Sequence, residues 1–342
     1  MKFKNSIGLI TILVLTMLFA GCTGGNTNTT TATFQPYVGG TEGVNFEFMP
    51  GMPSDVAGTI LDNKNSVFGI GIKLTNIGEH NINAGSLNDY LVLKVKGIQP
   101  SLFGLNSEED LKMVLDEDLK GSTKNFDGTT IKGDFTILSV EDLSYQSDIQ
   151  GDLPLNFLVD VCYDYSTKSQ TRVCVADDVY EALRNENSKE ICDVTLSQPT
   201  MNSGGPVHVK NLKQTPMGGS KINVFFDILK VGSGDIYAFE SANDCSQETT
   251  NKDKNKVLVV VAMPEGSEAK IDCGDSFVQT NKGLEKVVTL ADGMSQVSCK
   301  IETGNPDGNN IYFETLKVDL YYRYNDQIQK SLVIKDSGSA YD

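Results

Sequence analysis

The stretch VDVCYDYSTKSQTRVCVAD, residues 159–177, returns later in the chain as VDLYYRYNDQIQKSLVIKD, residues 318–336. The two stretches align without a gap at a spacing of 159 residues and share Val, Asp, two Tyr, Gln and Asp at matching positions. A second pair, GIKLTNIGEHNI from Gly71 and FFDILKVGSGDI from Phe225, has a spacing of 154 residues. Two features displaced by nearly the same distance indicate a duplicated domain.

Both copies of the longer stretch alternate in polarity. Such a period of two places the apolar side chains on one face of a β-strand. The polar residues STKSQT, 166–171, interrupt the apolar pattern before Val173, so we expect each copy to form a hairpin with a turn there. Tyr321, beside Arg323 on the opposite face, is interpreted either as an exposed contact residue or as cross-strand packing. Four tyrosines are predicted to lie in the core, namely Tyr163, Tyr165, Tyr322 and Tyr324.

Short strand candidates separated by turn signals fill much of the chain. No alternation of strands and helices is present, which disfavours a parallel nucleotide-binding sheet and favours antiparallel sandwiches. We therefore predict a mainly β protein with two tandem Ig-like antiparallel β-sandwiches. The first domain spans residues 44–200 and the second spans residues 204–342, with the turn-rich stretch SQPTMNSGGPV at the boundary.

The first domain carries a predicted helical insertion near 107–121. Ser107 can cap the N-terminus of this helix, and the acidic residues that follow complement the helix dipole. Leucines and a valine then recur at helical spacing, and Gly121 can end the helix in the left-handed conformation. A second, weaker helix is predicted over 177–187.

The beginning of the chain has the layout of an exported lipoprotein. Residues 1–22 start with a short basic segment, continue through an apolar run and end in LFAGC, which resembles a lipobox with Cys22 as the lipidated residue. An ordinary signal peptide or a short membrane anchor is the alternative, although the run is shorter than the roughly 20 residues of a spanning helix. Residues 23–43, rich in Thr, Gly and Asn, are predicted to form a flexible tether, where Asn28 begins an N-glycosylation sequon. We expect a location on the outer face of the cell membrane.

Six cysteines remain after Cys22. In an exported chain this number indicates three disulfides, with free buried thiols as the alternative. If a hairpin centred on Lys168 forms, Cys162 and Cys174 lie opposite each other and a cross-strand bond can form. We favour a different scheme, which is Cys174–Cys192, Cys273–Cys299 and, by elimination, Cys162–Cys245.

Charge and motifs disfavour several function classes. The formal net charge of −16 disfavours nucleic acid and broad contact with anionic lipid, because both need clustered Lys and Arg. No zinc-protease, hydrolase-elbow or phosphate-loop motif occurs, and His80 and His208 are expected to be exposed and isolated. The acidic stretches 116–119, 139–148 and 305–310 are interpreted as solvated surface. We therefore expect no catalytic, cofactor-binding or metal site.

The stretch VFGIGIKLTNIGEHNI, residues 67–82, resembles the adhesion-related, CARDB-type Ig-like domains of prokaryotic surface proteins. Their early strands end in Asn, a residue and Gly, here Asn76 and Gly78, although the second copy has Lys230 in place of Asn76. The lipobox, the tether, the FEFMPGMP stretch at 46–53 and the repeats together resemble archaeal surface lipoproteins. The resemblance implies β-sandwiches on the cell surface and no particular activity.

These features predict a lipid-anchored, surface-exposed, non-enzymatic binding or adhesion protein. Its two β-sandwich domains would be presented to a protein or glycan partner of the envelope. Two alternatives remain open. One is a structural subunit of an envelope assembly, such as a surface layer or a filament, and the other is a solute-capturing lipoprotein or degradative enzyme.

Overall fold

The fold was analysed in a computed structural model of the chain. Pro36–Asp342 forms one compact unit. Cys22 and Asn28, the predicted lipidation and glycosylation sites, lie outside the described residues. The structure describes residues 35–54, 60–84, 91–239, 245, 252–305 and 308–338.

Antiparallel strands dominate the described chain, which confirms the prediction of a mainly β protein of the sandwich class. The α-helices are short and consist of α1 (Val179–Arg184) and α2 (Glu186–Ile191). In chain order the strands are β1 (Val44–Phe48), β2 (Val67–Asn76), β3 (Leu91–Lys96), β4 (Lys112–Val114), β5 (Thr123–Lys124), β6 (Thr130–Ile131), β7 (Phe135–Ser144), β8 (Leu153–Ala176), β9 (Met201–Asn202), β10 (Val207–Gly218), β11 (Lys221–Lys230), β12 (Asp235–Tyr237), β13 (Lys256–Ala262), β14 (Lys270–Asp272), β15 (Val278–Gln279), β16 (Leu284–Thr289), β17 (Met294–Glu302) and β18 (Ile311–Ile334).

One large sheet runs through both halves of the repeat. Its order is β15-β16-β13-β18-β8-β3-β4, with β12 and β9 paired to β18 and β8. The first half adds a three-stranded sheet in the order β1-β2-β7, and the second half adds a four-stranded sheet in the order β10-β11-β17-β14. Each half therefore contributes a small sheet of its own and one side of the shared sheet.

The repeated stretches lie in two long strands, β8 and β18, each of 24 residues. The two strands pair with each other along their whole length, from Leu153 opposite Ile334 to Ala176 opposite Ile311. The predicted hairpins are therefore wrong. STKSQT contains no Gly, Pro, Asn or Asp to form a turn. Its side chains continue to alternate between the two faces of the strand, although all of them are polar. The residues that continue the inward face are buried, namely Thr167, Ser169 and Thr171.

The β8–β18 pair has approximate twofold symmetry. Asp164 and Arg323 occupy the same place in the repeat and also lie opposite each other across the two strands. β3 flanks β8 as β13 flanks β18, and β7 and β17 are offset by the repeat spacing of 159 residues. Strands of both halves belong to one sheet. The division into two domains, 44–200 and 204–342, therefore stays a prediction that rests on the sequence repeat.

Both small sheets bury the same positions of the repeat. One hydrophobic core contains residues of the small sheets together with inward residues of β8 and β18. Phe48 at the end of β1, for example, contacts Phe157 of β8 edge to face, with ring centroids 5.6 Å apart. The fully buried residues of β2 and their equivalents in β11 are Ile70, Ile72 and Leu74, and Val224, Phe226 and Ile228.

The predicted helix at 107–121 is reduced to one 3-10 turn, Glu108–Leu111, so its predicted extent is wrong. Ser107 and Asp110 form a capping box at the start of this turn, in which the Ser107 backbone N–H donates to the Asp110 carboxylate at 2.9 Å. The chain then enters β4. Leu111, Met113 and Leu115 are buried while Val114 is exposed, and this alternation is the period of a strand. The second predicted helix corresponds to the region of α1 and α2. Within the described part of the chain, no helix has the length and apolar character to cross a membrane.

Three disulfides form, and they are the favoured pairs. Cys174–Cys192 lies within the first half, Cys273–Cys299 lies within the second, and Cys162–Cys245 links the two halves. The alternative bond between Cys162 and Cys174 is ruled out by the continuity of β8. Twelve residues of a single strand separate these two cysteines, a distance of about 40 Å along the strand.

Candidate functional site

The central part of the β8–β18 pair, residues 163–168 and 319–324, is called the seam here. Its inward face carries the four tyrosines predicted to be core, and all four are buried. Their rings contact one another, with centroids 5.7 Å apart for Tyr163–Tyr165 and Tyr163–Tyr324 and 6.4 Å apart for Tyr165–Tyr322. Burial raises the pKa of all four phenols, which therefore stay neutral and act as hydrogen-bonding groups.

Two of these hydroxyls make the same hydrogen bond in both halves. The backbone N–H of His80 donates to the Tyr165 hydroxyl at 3.3 Å. The backbone N–H of Gly234 donates to the Tyr324 hydroxyl at 2.5 Å. Both donors follow the strand of the small sheet at equivalent positions of the repeat, so each tyrosine fastens the small sheet of its half to the shared sheet.

A glycine permits each of these contacts. Gly78 lies two residues before His80, and Gly232 lies two residues before Gly234. A Cβ atom at either position would overlap the tyrosine hydroxyl. The glycine of the Asn-x-Gly pattern is therefore required by the close approach of a tyrosine from the neighbouring sheet.

The opposite face of the seam holds a buried ion pair. The Arg323 guanidinium donates to the Asp164 carboxylate through Nε at 2.7 Å and through Nη2 at 2.8 Å. Their side chains are 5% and 0% exposed. Two parallel charge-assisted hydrogen bonds make this a strong and specific contact. Sequence reasoning missed the pair, although the alignment of the repeat places an acid and a base at the same position.

A polar cleft of about 450 Å³ opens on this same face. We call it the lysine cleft. Lys124 donates to the Tyr37 carbonyl at 3.4 Å, and Lys168 is exposed. Burial and the nearby carboxylates Asp319 and Glu79 raise the pKa of Tyr37 to about 12. Among the residues that line the cleft are Tyr37, Asn81, Thr123, Lys124, Lys168 and Ser203.

Glu79 also lies at this cleft, but its carboxylate is engaged by the backbone. It accepts hydrogen bonds from the N–H groups of Val38 at 2.9 Å, Gly39 at 3.1 Å and Gly204 at 2.8 Å. These bonds fasten the segment that leads into β1 and the segment that joins the halves. Glu79 is therefore a structural acceptor at the rim of the cleft.

His80 is half-buried, so its predicted exposure is wrong. Its Nδ1 lies 2.9 Å from the Ser166 Oγ, and its ring packs edge to face on Tyr165 with centroids 5.1 Å apart. In a Ser–His–acid triad a carboxylate orients the imidazole. The neighbouring carboxylate of Glu79 binds backbone N–H groups instead, and Ser166 is only 4% exposed. The pair fixes the loop after β2 against the seam.

His208 is buried as well, and its predicted exposure is also wrong. Its Nε2 lies 3.0 Å from the Gly40 carbonyl oxygen. Burial is the main cause that lowers the pKa of His208, and Lys210 contributes in the same direction. The side chain holds the segment before β1 against the start of β10.

A second cleft, of about 480 Å³, borders the tyrosine face of the seam. We call it the acidic cleft. Ser233 and Gln327 stand there at the repeat positions of Glu79 and Lys168. No lysine or arginine is among the described residues that line it. The lining includes Glu42, Val44, Tyr163, Ser233, Tyr324 and Asp326.

The remaining candidates form no site. The described residues contain no group of three or more His, Cys, Asp or Glu side chains that could hold a metal ion. Much of 139–148 belongs to β7 and is not the solvated loop that was predicted. Part of 305–310 lies outside the described residues. Tyr321 is half-buried and packs on Phe239, with ring centroids 5.5 Å apart, which favours cross-strand packing over an exposed contact.

Comparisons with known proteins add no function. No family model matches the chain, and no curated protein matches it. A matching solved structure is described as the complete structure of manganese lipoxygenase of Gaeumannomyces graminis and partial structure of zonadhesin of Komagataella pastoris. The match has 9% sequence identity over 88% of this chain and 93% of that chain, with a TM-score of 0.09. A TM-score this low supports no conclusion about fold or activity.

Proposed function

We propose that this chain is a lipid-anchored, surface-exposed binding protein without enzymatic activity. Its joined β-sandwiches present the lysine cleft to a protein or glycan partner of the envelope. The observation that carries the proposal is the cleft itself, a polar recess on a rigid sheet that is fixed by tyrosine and Glu79 hydrogen bonds. Binding groups are commonly held in this way on a rigid scaffold.

Two further features support a surface location. Three disulfides suit an oxidising compartment outside the cytoplasm. The lipobox-like LFAGC supports an acyl anchor at Cys22, which holds a chain at a membrane without spanning it. Metabolic labelling with an alkyne-tagged fatty acid tests the anchor. We expect label in the wild-type chain and none in Cys22→Ser.

The binding role is tested by placing a photoreactive amino acid at Thr123, an exposed residue of the cleft. The matched control places the same group at Lys213, an exposed residue of β10. On native membranes we expect cross-links to an envelope protein or glycan from position 123 and not from position 213. Equal cross-linking from both positions would contradict a role for the cleft. Substrate turnover that is lost in Ser166→Ala would contradict the non-enzymatic proposal.

Solute capture is the second candidate, because polar side chains from several segments converge in the cleft. The two candidates differ in what remains bound. A surface-binding protein retains a macromolecular partner, whereas a solute-capturing protein retains a small molecule. Native mass spectrometry of protein purified from its own membranes distinguishes them by the mass that the protein carries.

A further inference from the structure

The lysine cleft contains more hydrogen-bond donors than acceptors. Lys124 uses one of its three N–H donors on the Tyr37 carbonyl. The side-chain amide oxygen of Asn81 accepts from the Gly121 backbone N–H at 2.8 Å. The Ser203 hydroxyl oxygen accepts from the backbone N–H of Lys168 at 2.8 Å, which leaves the Lys168 ammonium group out of this contact. These contacts occupy the oxygens of Asn81 and Ser203. The N–H groups of Asn81 and Lys124 and the O–H of Ser203 remain as donors at the cleft, so a complementary ligand is rich in hydrogen-bond acceptors.

The two ammonium groups of the lining, Lys124 and Lys168, are donors of the same kind. Glu79 keeps its negative charge, but three backbone N–H groups already bind its oxygens, so the lysines are the charged groups that can donate to a ligand. Asp319 lies opposite Lys168 on β18 and offsets part of its charge, with Lys317 beside it. In a chain with a formal net charge of −16, these two lysines are the groups of the cleft that an anionic group of a ligand can contact.

The neutral part of the lining indicates the rest of the ligand. Hydroxyl and amide side chains surround the two lysines, including Thr123, Ser203 and Asn81, and Tyr37 contributes a phenol ring. Such groups can match the hydroxyls of a sugar, which donate and accept, and an aromatic ring can cover the apolar face of the sugar ring. A volume of about 450 Å³ is within the range of small-ligand sites.

We propose that the lysine cleft binds an acidic saccharide, whose carboxylate lies at Lys124 and Lys168 and whose hydroxyls contact the amide and hydroxyl side chains. This inference rests on the proposed binding function and specifies its ligand. The second half provides an internal comparison, because Gln327 stands at the repeat position of Lys168 and carboxylates line the acidic cleft. The second half therefore has no lysine at this position of the repeat.

The test is calorimetric titration of the full chain with a trimer of galacturonic acid and, in parallel, with the uncharged galactose trimer. We expect binding of the acidic trimer that weakens as salt screens the charges, and at least tenfold weaker binding of the neutral trimer. Lys168→Gln copies the residue of the second half and should weaken binding of the acidic trimer about threefold to fivefold, as for an exposed ion pair. Lys213→Gln removes the same charge from a distant exposed position and should leave binding unchanged.

Three outcomes overturn the inference. Equal binding of both trimers would exclude a role for the carboxylate, and equal weakening in Lys168→Gln and Lys213→Gln would exclude the cleft as its location. Absence of binding to both trimers would reject the acidic saccharide. The proposed binding function is then judged separately by the cross-links from position 123, which fail only if no envelope partner is captured there.

Discussion

The two halves of the molecule agree in their interior and differ at their clefts. Tyr165 and Tyr324 fasten equivalent backbone N–H groups in the same way. On the surface, Glu79 and Lys168 of the first half are replaced by serine and glutamine in the second. Packing thus preserved the buried contacts of the repeat while the cleft residues changed. The difference between the halves is one reason why the proposed ligand site is placed in the first half.

The seam shows a second kind of divergence. Perfect twofold symmetry would place identical residues opposite each other at its centre, so two copies of the first half would bury two aspartates there. The chain instead buries Asp164 against Arg323. At this position each half is therefore complementary to the other half and not to a second copy of itself.

The largest effect is expected from breaking this complementarity. Arg323→Leu removes the guanidinium that binds the buried Asp164 carboxylate and should lower the free energy of unfolding by about 3–5 kcal/mol in urea titrations. The double variant Asp164→Leu/Arg323→Leu should recover most of that loss, because no unpaired charge remains. A double variant as unstable as the single one would show that the pair contributes through packing and not through charge.

The second comparison concerns the stability contributed by a disulfide between the halves and by a disulfide inside one half. Cys162–Cys245 spans 83 residues and Cys174–Cys192 spans 18. Loop-closure entropy predicts a loss of about 4.5 kcal/mol for the first pair and about 3 kcal/mol for the second when both cysteines become serine. Urea titrations of the two double variants measure the difference. A larger loss for the shorter loop would contradict an entropic origin.

A smaller and symmetric effect is expected from the tyrosine hydroxyls. Tyr165→Phe and Tyr324→Phe each leave a backbone N–H without its acceptor, and each should cost about 1–2 kcal/mol. Thermal unfolding of the two variants should give similar shifts in melting temperature. Very unequal shifts would show that the two hydrogen bonds, which occupy equivalent repeat positions at 3.3 and 2.5 Å, are not equivalent in energy.

The smallest effect concerns His208, which has no histidine counterpart in the first half. Burial lowers its pKa below the usual 6.5, so the unfolded chain binds the proton more readily. The contribution of the neutral imidazole is therefore complete above pH 6.5 and is lost as the pH falls below that value. Between pH 7.5 and 5.5 the melting temperature of the wild type should fall further than that of His208→Gln. Parallel curves would contradict this origin of the pH dependence.

Periodicity was sufficient to predict the β class and the buried tyrosines. It failed at STKSQT, where polarity suggested a turn although the stretch has no Gly, Pro, Asn or Asp. It failed again after Leu111, where helical and strand spacing both fit and pairing of β4 with β3 decides between them. The ion pair and the cleft depend on contacts between distant segments, such as Lys124 with Tyr37, which local patterns do not contain.

The pairing of β8 with β18 also fixes the order in which the protein can be completed. The nearest paired residues, Ala176 and Ile311, are 135 positions apart. At a synthesis rate of about 5–20 residues per second, the hydrogen-bonding edge of β8 waits on the order of ten seconds for its partner strand. Until then the unpaired edge of β8 is exposed to pairing with other chains. The shared sheet can therefore be completed only after both halves have been synthesised.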